Sequence, residues 1–177
     1  MKYKITTLLL LMAFGLSTLA FGQDKKPNVN TGEGIGTPIP AFSFELPDKS
    51  WLTPAVLPEN QPVIFFYFDP FCEHCNLEAG WVKDKDDLFE GITLVWVSWA
   101  EKVEDNIDFF KKYFMNMPSK VYVARDTNYK IDDYFGYSEV PSIYVYNADG
   151  TRTASFKAEV EPEILVKFAN MQEAGGE

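Results

Sequence analysis

Between Gln61-Pro62 and Asp69-Pro70 stands an unbroken run of six apolar or aromatic residues, Val63-Ile64-Phe65-Phe66-Tyr67-Phe68. A run this short, closed by proline at both ends, suits a central strand buried on both faces. Such a strand needs helices above and below it. The residues from Cys72 to Asp87 predict the first of them, with Leu77, Trp81, Val82 and Leu88 at helical spacing. Ile92 to Trp99 reads as a second buried strand. Glu104 to Met115 reads as a second helix, with Val103, Ile107, Phe110 and Phe114 on one stripe.

The remaining elements follow from shorter signals. Phe42-Ser43-Phe44-Glu45-Leu46 alternates apolar and polar residues, Pro47 to Ser50 is a turn, and Trp51-Leu52-Thr53 returns as a hairpin. Lys120 to Ala124 is a short strand, and Tyr129 to Phe135 a short helix ended by Gly136. Ser142 to Tyr146 and Thr151 to Lys157 are strands joined by the turn Asn147-Ala148-Asp149-Gly150. Glu161-Pro162-Glu163 opens a last helix, with Ile164, Leu165, Phe168 and Met171 inward. Strand–helix–strand order gives parallel pairing, and the closing hairpin adds antiparallel strands. The expected fold class is α/β: a three-layer domain with a central mixed β-sheet flanked by helices and an N-terminal β-hairpin. At 46% hydrophobic and 16% aromatic residues, the chain can build one such core.

The first 38 residues read differently. Lys2 and Lys4 precede an apolar run from Ile5 to Ala20, and the small residues Ala20 and Gly22 close it. This pattern predicts a signal peptide over 1–22; an uncleaved membrane anchor is the alternative, because the run approaches spanning length. Residues 23–38 are polar and aperiodic and read as a flexible linker. The folded domain is then expected over 39–177. Cleavage after Gly22 removes two lysines and no acid, so the formal charge moves from −10 to −12. Such acidity argues against nucleic acid and anionic membrane as partners.

The chain has two cysteines, Cys72 and Cys75, and one histidine, His74, between them. Export favours disulfides that persist, but a bridge across so short a loop adds little stability, so its use is chemical. Cys72 falls where the buried strand gives way to the helix. Unpaired N–H groups and the helix dipole there favour the thiolate, the nucleophile of disulfide exchange. Cys75, one turn later and facing the core, can attack a mixed disulfide formed at Cys72. His74 can stabilise the Cys72 thiolate by hydrogen bond or charge, whereas Asp69, Glu73 and Glu78 oppose it. A zinc site would need four ligands and lacks a second Cys/His pair, so no metal is assigned. Asn76 in place of histidine excludes covalent haem attachment. No cofactor is expected beyond a redox-active Cys72–Cys75 disulfide.

The run Val63–Phe68, the segment Asp69-Pro70-Phe71-Cys72-Glu73-His74-Cys75 and the later Val140-Pro141-Ser142 before a strand resemble the thioredoxin superfamily. With the export signal, the leading hairpin and the extra helical segment, the chain is most similar to its secreted TlpA/ResA-like redoxin branch, over Ile39 to Met171. The resemblance implies a thioredoxin-like fold. It also implies a cis Pro141 opposite the cysteine pair and a Val140 backbone that pairs with substrate peptide. Thioredoxin carries a buried acid six positions before its first cysteine, and Phe66 stands there here. The ResA-like branch has a glutamate three residues after the second cysteine, which makes Glu78 the proton-handling candidate. His74 resembles oxidases and isomerases of the DsbA kind instead of the branch's usual proline, so the direction of electron flow stays open. The peroxiredoxin Pro-x-x-x-Thr-x-x-Cys pattern is absent.

Together with the export signal, the resemblance implies a periplasmic thiol–disulfide oxidoreductase acting on exported proteins, as a reductase fed by a membrane thiol donor and as a monomer. An oxidase or isomerase and a non-catalytic thioredoxin-like binding module are the alternatives. The candidate catalytic residues are Cys72, Cys75, His74 and Glu78; the candidate substrate-binding residues are Phe71, Val140 and Pro141. Phe71 and Trp99 could form an apolar docking patch or belong to the core.

Overall fold

The computed structural model describes residues 34–136 and 138–172. The expected signal segment 1–22 and residues 23–33 of the expected linker lie outside the described residues. Strands β1 (Phe44–Glu45) and β2 (Trp51–Leu52) form a hairpin, followed by a 3-10 turn at Pro54–Val56. Then come β3 (Val63–Tyr67), α1 (Glu73–Asp84), a 3-10 turn at Asp86–Phe89, β4 (Thr93–Ser98) and α2 (Val103–Tyr113). The chain continues through β5 (Lys120–Arg125), α3 (Ile131–Phe135), β6 (Ser142–Tyr146), β7 (Arg152–Phe156) and α4 (Pro162–Ala169).

All seven strands join one sheet in the order β2-β1-β5-β4-β3-β6-β7. The central trio β5, β4 and β3 is parallel, while β6 runs antiparallel to β3 and β7 to β6. Alternation along β3 sends its residues to two cores. Ile64, Phe66 and Phe68 enter the larger one with residues of α1, α2 and α4. Val63 and Phe65 enter the other with Phe42, Phe44, Ile131 and Phe135. Both faces are therefore covered, as the unbroken apolar run requires. Phe66 is fully buried and stacks on Trp96, with ring centroids 4.1 Å apart and planes 3° from parallel.

The structure keeps Phe110, Phe114, Ile164, Leu165 and Phe168 against the larger core and revises other inward positions of three helices. In α1 the buried residues are Cys75, Glu78, Ala79 and Val82, and Leu77 is exposed. The inward stripe runs through the cysteine, and a glutamate in its middle hides it from an apolar count. In α2 the buried positions are Asn106 and Phe109. Asn106 fits there because it accepts from Ser98 Oγ at 2.7 Å and donates to Ala124 O at 3.1 Å, tying α2 to β4 and β5. α4 ends at Ala169, which leaves Met171 beyond the helix and exposed.

Residues 34–38, which the sequence assigns to the linker, bond to the domain. Gly36 N–H donates to Arg152 O, and Arg152 N–H to Thr37 O. The Arg152 side chain is buried beneath them. Its guanidinium donates to Tyr146 Oη and Phe135 O and lies over the rings of Phe135, Tyr144 and Tyr146.

Candidate active site

β3 delivers the chain to one end of the sheet, and Asp69-Pro70-Phe71 turns it into α1. Asp69 shapes that turn: its carboxylate accepts from Phe71 N–H at 2.8 Å, and its carbonyl accepts from Cys72 N–H at 3.1 Å. Cys72 is the N-cap of α1, in extended backbone conformation, and its Sγ accepts from Cys75 N–H at 3.4 Å. A cysteine sulfur thus occupies the place where serine or aspartate usually caps a helix. Both cysteines are free thiols, Cys72 partly exposed and Cys75 buried. Burial pushes the Cys75 thiol up, and the hydrogen bond to Cys72 adds to this. One thiol meets solvent, and the other is held protonated beneath it.

Glu78 follows Cys75 by three residues on the same buried face of α1. Its carboxyl is inaccessible to solvent; Oε2 accepts from Val160 N–H at 2.7 Å, while Oε1 has no partner. Burial pushes Glu78 up to about 8, and the charges of Glu159 and Glu161 push the same way, against the Val160 hydrogen bond. The carboxyl thus follows the buried thiol by one helical turn on the same face of α1.

His74 is 63% exposed, and its Nδ1 lies 3.3 Å from Glu159 Oε2. The imidazole is thus engaged by the loop after β7. Phe71 is 78% exposed, whereas Trp99 is half-buried against Tyr67. Phe71 alone of the two offers a free apolar surface.

The Val140–Pro141 peptide bond is cis. Pro141 is buried and immediately precedes β6. Antiparallel pairing sets Tyr67 at the end of β3 opposite Ser142 at the start of β6. The residues after Tyr67 and those before Ser142 therefore emerge at the same end of the sheet. Cys72 and Val140 both pack, partly buried, against the larger core.

Sequence reasoning missed Asn76. Its amide donates to Pro70 O and Cys72 O, each at 2.8 Å, and its oxygen accepts from Tyr113 Oη at 2.7 Å and Lys112 Nζ at 3.0 Å. One side chain therefore clamps the cysteine turn to the end of α2. Asparagine is a poor helix former that favours backbone bonding, and that was the available signal. Lys112, Tyr113, Glu159 and Val160 carried no such signal, because their roles exist only through contact with α1.

No protein-family model matches the sequence, and no curated protein matches it. Solved structures do. A secreted Mycobacterium tuberculosis disulfide oxidoreductase homologous to Escherichia coli DsbE is 22% identical, with TM-score 0.60, over 74% of this chain and 96% of that one. A thiol:disulfide interchange protein of the thioredoxin family from Chlorobium tepidum is 18% identical, with TM-score 0.61, over 79% and 98%. The peroxidoxin BcpB of M. tuberculosis is 14% identical, with TM-score 0.63, over 78% and 97%. At such identities the matches establish the fold. Among the described residues no helix is long and apolar enough to cross a membrane.

Proposed function

We propose, from the premise that the chain has a thioredoxin-like fold, that it is a thiol–disulfide oxidoreductase acting outside the cytoplasm on exported proteins. The observation that carries this reading is the graded pair at the start of α1: Cys72 capping the helix, Cys75 buried under it, and the Glu78 carboxyl one turn beyond.

The chemistry runs in two exchanges. The Cys72 thiolate attacks one sulfur of a client disulfide; that S–S bond breaks, a mixed disulfide forms, and the other client sulfur leaves as thiolate. Cys75 then loses its proton and attacks Cys72 Sγ, forming the Cys72–Cys75 disulfide and releasing the second client sulfur. The client gains two electrons and the protein loses two, which a membrane thiol donor restores. Glu78 receives the Cys75 proton. Phe71 offers apolar contact to the client, and the Val140 backbone before Pro141 pairs with its extended chain.

Net reduction is the favoured direction. His74 was the one residue pointing toward an oxidising site, and its imidazole is engaged by Glu159. Asp69 and Glu73 add negative charge beside the thiolate, which destabilises the reduced form and makes the pair a stronger reductant. The catalytic surface otherwise lacks the peroxiredoxin cysteine pattern, although BcpB shares the fold.

Reduction of insulin disulfides tests the reading, with Cys72→Ser and Cys75→Ser as controls. Wild-type protein should reduce insulin, and Cys72→Ser should be inactive. Equal rates in all three would sink the enzymatic reading in favour of a binding module. The Cys72–Cys75 potential then decides direction: a value near −270 mV, roughly that of thioredoxin, means a reductase, and one near roughly −120 mV an oxidase.

A further inference from the structure

The loop between β7 and α4 touches the cysteine helix at two adjacent residues. Val160 N–H meets the buried Glu78 carboxyl on the inner side of α1, and the Glu159 carboxylate meets His74 Nδ1 on the outer side. Cys75 lies between His74 and Glu78 in the chain. Glu159 is itself only 21% exposed, so its carboxylate sits close to the protein and is less screened than a free surface acid.

We propose that Glu159 is a positioning residue for the cysteine turn: one carboxylate from the β7–α4 loop orients the His74 imidazole on the outer side of α1 and repels charge on the Glu78 carboxyl on the inner side. This rests on the redox reading of the site and extends it to a residue far outside the cysteine motif.

The two effects have separate physics. A carboxylate 3.3 Å from Nδ1 favours the proton on that nitrogen, so the neutral imidazole keeps its lone pair on Nε2. The group able to accept or return a proton at the solvent side of the turn is then Nε2. On the inner side, negative charge at Glu159 opposes a second negative charge at Glu78 and favours the protonated carboxyl. The charged groups that bear on Glu78 are Glu159 and Glu161. Glu161 differs in its partner: it lies 3.9 Å from Lys85 and is exposed. One loop carboxylate thus serves both proton-bearing groups, and its neighbour serves one.

Nuclear magnetic resonance of the reduced full chain tests this without any redox assay. The chain has a single histidine, so its ring nitrogens give one unambiguous signal pair. In the neutral imidazole of the wild type the Nδ1–H tautomer should predominate. Glu159→Ala should lower the Nδ1–H to Nε2–H ratio about threefold, the effect of one partly exposed charge-assisted contact. The same variant should lower the Glu78 carboxyl midpoint by about half a unit. Glu161→Ala should lower the Glu78 midpoint and leave the tautomer ratio alone. An unchanged ratio in Glu159→Ala, an unchanged Glu78 midpoint, or a ratio that Glu161→Ala moves equally, overturns the proposal. Absence of Cys72-dependent insulin reduction would instead overturn the functional reading, leaving these spectra to report on the loop alone.

Discussion

The Glu78 carboxyl, sealed from solvent on the buried face of α1, is held by the backbone N–H of Val160 at 2.7 Å, and its second oxygen has no partner. Val160 precedes the last helix, so the packing of the C-terminal segment and the protonation of a side chain on the cysteine-bearing helix meet at one hydrogen bond.

The first consequence is a pH-dependent stability. Glu78 is raised in the fold to about 8 from an ordinary 4.5, chiefly by burial. An acid raised on folding binds its proton in the native state while the unfolded chain has lost it. Its contribution is therefore fully present below about pH 4.5 and declines as pH rises toward 8. Urea denaturation should show wild-type protein less stable at pH 9 than at pH 5, by on the order of a few kcal/mol. Glu78→Gln keeps an acceptor for Val160 and should remove most of that difference. A difference that persists in the variant would assign it to other groups.

Glu78→Gln should also slow the second exchange. Burial holds the Cys75 thiol protonated, so its attack needs a base. Loss of one general base costs roughly 10²–10⁴-fold. Rapid quenching followed by mass spectrometry should then find the Cys72–client mixed disulfide accumulating in the variant and scarcely in wild type. The first exchange should keep its rate.

Asn76 carries a prediction about geometry. Asn76→Ala strips the side-chain donor from Pro70 O and Cys72 O and should cost about 1–3 kcal/mol in chemical denaturation. Asn76→Asp preserves acceptors for Lys112 and Tyr113 but sets an anion against two carbonyls. It should be at least as destabilising as alanine. An aspartate variant as stable as wild type would show that the bonds to α2 alone matter.

Phe71 separates binding from folding. Because the ring is largely exposed, Phe71→Ser should change stability by no more than about 0.5 kcal/mol. Steady-state kinetics should show a higher KM for a folded protein disulfide and an unchanged rate with a small dithiol reagent. Equal KM values would remove Phe71 from the client surface.

The local pattern of the chain determined a great deal. The two-faced run Val63–Phe68 announced a buried strand, and observed β3 lies within it; β6 spans Ser142–Tyr146 as read. Cys72 at a strand–helix junction was legible for the same reason: strand and helix periods are short-range, and the N-cap position follows from where one gives way to the other. What the sequence could not carry was the inward face of α1, because a glutamate interrupts its apolar stripe at residue 78. It also could not carry the partners of His74 and Glu78. Glu159 and Val160 reach them only after β6 has paired with β3 and β7 with β6. The identity and spacing of the reactive groups are local properties and were present in the chain. Their burial, proton affinity and orientation depend on what distant segments bring alongside, and only the tertiary structure decided those.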